Sequence, residues 1–67
     1  MKFRELDVVK TIKVFPEYNL KEGVTGTIVH IFSHPNEAYE VEFSDEAGRT
    51  VVMATLLPDD LEIFKEV

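Results

Sequence analysis

Several stretches of this chain have the composition or the two-residue alternation of β-strands, and no stretch of useful length has the period of a helix. The clearest alternation runs over residues 38–43, where Tyr39, Val41 and Phe43 are predicted to face the core. The two glutamates between them are predicted to face water. We therefore expect a strand here with one buried side.

The strongest strand signal lies at residues 25–32, where β-branched and apolar residues follow one another almost without interruption. Both sides of this strand are apolar: Ile28 and Phe32 on one, Val29 and Ile31 on the other. Strict alternation would expose one pair to water. The conflict is removed if the strand is covered on both sides, or if it bends so that both sides meet the core, and Gly26 would allow such a bend.

Three further strands are predicted around these two. The first covers residues 6–12 and places on one side Leu6, Val8 and Ile12. The fourth covers residues 49–56, where the pattern leaves two inner sides open: Val51 and Met53, or Val52, Ala54 and Leu56. A short closing strand covers residues 61–64.

Glycine, proline and polar residues mark the connections between these strands. Turns are predicted at residues 33–37 and 44–48. The glycines assigned to turns and bends are Gly23, Gly26 and Gly48. Residues 57–60 form one helical turn, because proline suits its first position and acidic residues suit its N-terminal end.

Five short strands, a long first loop and one helical turn before the last strand predict an all-β fold. It is a small, partly open SH3-like barrel of five strands, and residues 1–67 form one domain. The alternative is an open antiparallel sheet that completes its core by dimerising. The core is expected to contain four phenylalanines: Phe3, Phe32, Phe43 and Phe64.

The long first loop, residues 13–22, contains two aromatic residues whose place the pattern leaves open. Phe15 and Tyr18 either close the open end of the core or form a patch on the surface. The surface beside this loop commonly binds extended peptides in SH3-like barrels, and aromatic side chains supply large contact areas in such sites. Phe15 and Tyr18 are therefore candidate partner-binding residues.

The chain contains no cysteine, which excludes a disulfide framework, a thiolate metal site and a cysteine nucleophile. No apolar run approaches the roughly 20 residues of a membrane span, and the N-terminus lacks the apolar core of a signal peptide. We therefore expect a cytoplasmic protein that does not enter a membrane.

The formal net charge is −6, and all of the imbalance is C-terminal, because residues 40–67 hold eight acids and two bases. Such a surface repels phosphate and complements a basic protein. The acids either keep a small domain soluble or steer a partner towards it. Asp59, Asp60 and Glu62 are the candidates for steering.

The two histidines and a nearby carboxylate, His30, His34 and Glu37, fit no strong zinc-ligand spacing. Glu40 and Glu42 alternate with core residues, so they are predicted to be solvated rather than to act as a catalytic pair. We predict no metal site, no cofactor and no catalytic residue. A metal-assisted hydrolase built on the histidines and Glu37 is the least favoured function.

Three segments together resemble one known family. They are Leu-Asp-Val-Val from residue 6, Leu-x-x-Gly-x-x-Gly-Thr from residue 20, and Tyr-Glu-Val-Glu-Phe from residue 39. They resemble a bacterial family of very small proteins classed as a domain of unknown function. The resemblance implies an SH3-like barrel without an assigned activity. Members of this family are often paired with a second small protein of unknown function, in an arrangement that resembles toxin–antitoxin modules. The resemblance therefore implies an antitoxin-like or accessory role.

The favoured hypothesis is a non-enzymatic protein-interaction module that engages a basic or extended segment of a partner protein. Homodimerisation is compatible with the small core. The alternative is an RNA-binding barrel, because the Gly-x-x-Gly-Thr-Ile-Val segment resembles the KOW-like barrels of ribosome-associated proteins. The few basic residues are scattered among acids, which argues against that alternative.

Overall fold

The computed structural model describes residues 1–45 and 47–65, and the chain is an all-β, partly open SH3-like barrel. Its five strands are β1 (Val8–Thr11), β2 (Thr25–Phe32), β3 (Ala38–Ser44), β4 (Thr50–Leu56) and β5 (Leu61–Ile63). Two short 3-10 turns lie at Pro16–Tyr18 and Pro58–Asp60. The predicted fold class, with its helical turn before the last strand, is confirmed.

The five strands form one antiparallel sheet in the order β4-β3-β2-β1-β5, so β4 and β5 are its two edges. Short connections make β2, β3 and β4 a meander, and the second 3-10 turn returns β5 to β1. No helix in residues 1–45 and 47–65 is long and apolar enough to cross a membrane. Glu46, which falls in the predicted 44–48 turn, and residues 66–67 lie outside the described residues.

The core consists of cross-strand rows of inward-facing side chains. The rows that cross β2, β3 and β4 are Gly26–Phe43–Val52, Ile28–Val41–Ala54 and Ile31–Tyr39–Leu56. The predicted inner side of β3 is confirmed. The open register of β4 is settled: Ala54 and Leu56 are buried, whereas Val51 and Met53 are exposed.

A β-bulge in β2 explains how a strand with two apolar sides is accommodated. The pairing register shifts between Ile28 and His30, which leaves Val29 without a residue directly opposite. Ile28 before the bulge and Ile31 after it therefore both face inward, and Phe32 faces out. Of the two predicted solutions, the structure has the bend, but the bend lies at Val29 and not at Gly26.

The expectation that four phenylalanines fill the core is correct for Phe3 and Phe43 and wrong for the other two. Phe32 is 37% exposed and Phe64 is 40% exposed. The bulge turns Phe32 outward. Phe64 follows the last residue of an edge strand, and its backbone N–H donates to the carbonyl of Val8.

The predicted side of β1 is also wrong, since Leu6, Val8 and Ile12 are exposed. Val9 and Thr11 face the core instead. The Thr11 hydroxyl donates to the Lys21 carbonyl at 2.7 Å and accepts from the Val24 N–H at 3.0 Å. A polar residue that holds the first loop thus occupies an inner position of β1. For this reason the hydrophobic and polar residues of β1 do not alternate in the sequence as its inner and outer sides do.

Two of the three glycines assigned to turns have the expected conformation. Gly23 and Gly48 have φ angles of +82° and +81°, where side chains are strained. Gly26 needs a correction: it lies within β2, and a Cβ there would approach Phe43 to 2.7 Å and Val41 to 2.8 Å. Gly26 is required by close packing, not by a turn.

Candidate functional site

The side of strands β2, β3 and β4 that faces away from the core is the outer face, defined by His30, Phe32, Glu40, Glu42, Met53 and Thr55. None of these three strands contains a lysine or an arginine. Glu40 and Glu42 are their only formal charges, and within the described residues neither takes part in an ion pair. The outer face is therefore acidic at its centre.

An apolar groove opens at the end of the outer face where β2 turns into β3. This outer groove has a volume of about 330 Å³, and its lining residues are Phe32, His34, Pro35, Asn36, Ala38, Thr55 and Leu57. Leu57 is 53% exposed, although it lies between a buried strand residue and the second 3-10 turn. Phe32 and Leu57 leave apolar surface in water that the fold itself does not use.

The local sequence explains why these side chains meet. The bulge at Val29 turns His30 and Phe32 to the same outer side, where their rings stand edge to face with centroids 4.6 Å apart. Ala38 pairs with Phe32 at the start of β3, and its small side chain leaves the groove open. Pro58 begins the 3-10 turn and ends β4, and Leu57, the residue between the buried Leu56 and this turn, is exposed and lines the groove.

A second groove lies between the first loop and the β3–β4 hairpin. This loop groove has a volume of about 360 Å³, and its lining residues are Asn19, Leu20, Lys21, Val24, Phe43, Ser44, Asp45, Val51 and Val52. Its rim carries both signs of charge, with Lys21 on one side and Asp45 on the other. The backbone N–H of Arg49 lowers the pKa of Asp45 most, and the Arg49 side chain pairs with the same carboxylate at 2.9 Å.

The two aromatic residues of the first loop close the core. Phe15 is only 8% exposed and its backbone pairs with Leu20 across the loop. Tyr18 is half-buried and packs against the same core. Of the two predicted alternatives for their place, the structure therefore has the closing of the core, while the role of Phe15 and Tyr18 in partner binding stays a prediction.

The three acids assigned to steering have different surroundings. Asp60 pairs with Lys13 at 2.9 Å and accepts a hydrogen bond from the backbone N–H of Leu57, which holds the second 3-10 turn. Glu62 pairs with Lys10 at 3.3 Å. Asp59 is exposed and makes no side-chain hydrogen bond or ion pair within the described residues. Two of the three charges are thus already balanced.

Glu37 is not turned towards the histidines. It accepts a hydrogen bond from the Tyr39 hydroxyl, which lowers the pKa of Glu37, and a second from the backbone N–H of Lys2. The buried Tyr39 hydroxyl in turn accepts from the N–H of Phe3 at 3.1 Å. Burial and then the bond to Glu37 raise the pKa of Tyr39. This network fastens the N-terminal segment to β3.

Metal-ligating side chains are not gathered into a site in the described part of the chain, where no three of them lie close enough to hold an ion. His30 lies on the outer face, and His34 lines the outer groove.

Sequence reasoning missed the outer groove as a whole. The exposed residues that form it, Phe32 and Leu57, look like ordinary core positions in the sequence. The available signal was the proline after Leu57, which ends the strand there. The bulge that exposes Phe32 leaves no signal that a single sequence reveals.

Comparison with protein families identifies the chain. The model of a domain of unknown function, DUF4926, matches residues 5–63, which is nearly the whole chain, and the protein therefore belongs to this family. Comparisons with curated proteins and with solved structures gave no match.

Proposed function

We propose that this member of the DUF4926 family is a non-catalytic protein-interaction module. Its contact surface is the outer face with the outer groove, and its partner presents an apolar side chain flanked by basic residues. The observation that carries the proposal is an exposed apolar groove, between Phe32 and Leu57, at the end of a face whose only charges are Glu40 and Glu42.

The size of the outer groove supports a side-chain anchor and not a cofactor. At about 330 Å³ it lies at the lower limit of small-molecule sites and is open to solvent. An exposed aromatic ring beside a leucine side chain forms a pocket of the kind that receives a buried anchor residue of a partner. Binding would cover Phe32 and Leu57, which accounts for their exposure in the free protein.

The charge of the outer face supports a basic partner. Glu40 and Glu42 are partly exposed and their carboxylates are not engaged by a lysine or arginine of the described residues. Lysine or arginine residues next to the anchor residue of the partner would form ion pairs with these two carboxylates of β3. Complementary charges of this kind accelerate association and fix orientation more than they add affinity.

The proposal also covers an antitoxin-like or accessory-subunit role, in which the partner is a toxin or the main subunit of a complex. In an antitoxin-like role, the partner would be harmful when produced alone and harmless when bound. In an accessory role, loss of the chain would lower the stability or activity of the partner. These two roles use the same contact surface and differ only in the partner.

A site-specific photo-crosslinking experiment in cells of the native host tests the proposal. A photoreactive aromatic residue replaces Phe32 in the outer groove, and the matched control carries it at Glu17, an exposed position of the first 3-10 turn. Crosslinked proteins are identified by mass spectrometry. We expect one partner to be captured from position 32 and not from position 17, and the crosslinked peptide to contain basic residues.

The charge argument is tested on the captured partner. Replacing both Glu40 and Glu42 by glutamine should slow association several-fold at low salt and reduce its dependence on salt, whereas Asp59→Asn should leave both unchanged. The proposal fails if both crosslinking positions give the same pattern. It also fails if a partner captured at position 32 associates at the same rate with the double glutamine variant.

A further inference from the structure

Strand β4 is an edge strand without the charged residues and prolines that commonly protect an edge. It is at one end of the sheet order, so only β3 pairs with it. Within the described residues, no backbone hydrogen bond outside the β3–β4 ladder involves residues 51–56. Its sequence, Thr-Val-Val-Met-Ala-Thr-Leu, contains no charge, proline or glycine. Soluble proteins usually place such residues on exposed edges to prevent pairing with other chains.

The other edge is protected, which makes the contrast informative. β5 has only three residues, and one of them, Glu62, is charged and paired with Lys10 of β1. β4 has seven residues, and on it Val51 is 62% exposed and Met53 is 45% exposed. A bulge opposite Phe43 and Ser44 interrupts the start of β4, but Val52 to Leu56 pair regularly with β3. Five regular residues are enough for a further strand to pair along them.

We propose that β4 pairs antiparallel with β4 of a second copy of this chain, so that a two-fold axis joins the two sheets into one. This inference concerns the strand edge and goes beyond the binding function proposed for the outer groove. Alternate residues between Val52 and Leu56 would donate and accept backbone hydrogen bonds across the axis. The contact is isologous and closed, so it yields a dimer and no larger assembly.

The charges of the chain favour a second copy over a foreign strand at this edge. A chain with a net charge of −6 repels its own copy wherever acidic surfaces meet. An uncharged strand is where two copies can meet with least repulsion. A basic foreign strand, in contrast, would find no counter-charge on β4 itself. Met53, which is 45% exposed on the outer face, would add apolar contact on the outer side of the new pair.

Salt separates this proposal from the one for the outer groove. Dimerisation of two acidic chains through an uncharged strand should become stronger with added salt, because salt screens their repulsion. Binding of a basic partner to Glu40 and Glu42 should become weaker. The two proposals therefore predict opposite responses, and either can fail without the other.

Sedimentation velocity of the intact protein, over micromolar to millimolar concentrations, tests the dimer. We expect the mass to rise from the 7.7 kDa of one chain towards twice that value. Met53→Lys places two like charges near the two-fold axis and should weaken the dimer by roughly tenfold or more. The matched control is Val8→Lys, which adds the same charge at an exposed position of β1, and it should dimerise as the unmodified chain does.

Hydrogen exchange locates the interface without a variant. Backbone amides between Val52 and Leu56 should exchange more slowly as the concentration rises, while those of β5 should not change. Circular dichroism is used to check that both lysine variants are folded. A monomer at every concentration would overturn the proposal, and so would a dimer that survives Met53→Lys. An assembly larger than a dimer would also overturn it and would indicate pairing between β4 and the β5 edge.

Discussion

Replacement of Gly26 by alanine tests the packing argument most sharply, since it adds one methyl group at a defined place. Gly26 lies in β2 with a backbone conformation that alanine adopts without strain. Its Cβ would lie 2.7 and 2.8 Å from two carbons of the Phe43 ring and 2.8 Å from a methyl carbon of Val41. Phe43 and Val41 are both buried, so neither can move without disturbing the core.

The magnitude follows from two opposing contributions. Overpacking of a filled core costs about 1–3 kcal/mol, whereas replacing glycine by alanine stabilises by about 0.4–1 kcal/mol because the unfolded chain loses freedom. The net expectation is a loss of about 1–2 kcal/mol in the free energy of unfolding. In a domain of this size that corresponds to a fall of very roughly 4–16 °C in the melting temperature.

Urea denaturation followed by circular dichroism measures the effect, and two further variants identify its cause. Gly23→Ala should cost about 1–2 kcal/mol, because Gly23 has a positive φ angle that strains other residues. Nothing lies within 4 Å of its Cβ position, so this cost is backbone strain and not a clash. Asparagine tolerates that conformation, so Gly23→Asn should recover part of the loss. Gly26→Asn should be worse than Gly26→Ala.

Relief of the contact gives the decisive result. In a double-mutant cycle, Phe43→Leu should weaken the penalty of Gly26→Ala by about 0.5–2 kcal/mol, since the smaller side chain makes room for the methyl group. A Gly26→Ala variant as stable as the unmodified chain, or a cycle without coupling, would refute the reasoning that Gly26 serves close packing.

Three further predictions concern side chains that fasten loops. Thr11→Val should cost about 1–3 kcal/mol in urea denaturation and leave the backbone groups of the first loop unpaired; unchanged stability would contradict it. The free energy of unfolding should fall as the pH drops below 4.5, because the pKa of Glu37 is lowered in the folded protein and returns to its ordinary value on unfolding. It should also fall as the pH rises above 10.0, because the pKa of Tyr39 is raised in the folded protein and returns to its ordinary value on unfolding. In pH-dependent melting, Tyr39→Phe should abolish the alkaline loss and reduce the acidic one. Asp60→Ala should cost about 1 kcal/mol, whereas its neighbour variant Asp59→Ala should cost under about 0.5 kcal/mol; equal costs would refute the assignment of Asp60 to the 3-10 turn.

The strands with regular alternation could be predicted from the sequence, because a two-residue period records which side is buried. The bounds of β2 are as predicted, and β3 extends one residue beyond its predicted end with its inner side correct. The predicted inner side of β1 was wrong because the polar Thr11 occupies an inner position, where its hydroxyl forms hydrogen bonds with backbone groups of the first loop. The register of β4 required the structure, since both sides of that strand are apolar.

The outer groove could not be predicted from the sequence. Its position depends on the bulge at Val29, which changes the side of every later residue in β2 and turns Phe32 outward. It also depends on the meeting of β2, β3 and Leu57, which are distant in sequence. The loop aromatics attracted attention instead because aromatic residues in a long loop look exposed. Phe15 closes the core because the first loop folds back and pairs it with Leu20.

The central claim is that the outer groove and the outer face bind a partner protein, and nuclear magnetic resonance titration tests it most directly. Isotope-labelled chain is titrated with the basic segment of the partner captured by crosslinking. We expect the largest chemical-shift changes at four residues that line the outer groove, Phe32, Ala38, Thr55 and Leu57, and smaller changes at Glu40 and Glu42. Chemical-shift changes concentrated on the loop groove, at Leu20 and Val24, would contradict this claim. So would the absence of any chemical-shift change at a saturating concentration of the segment.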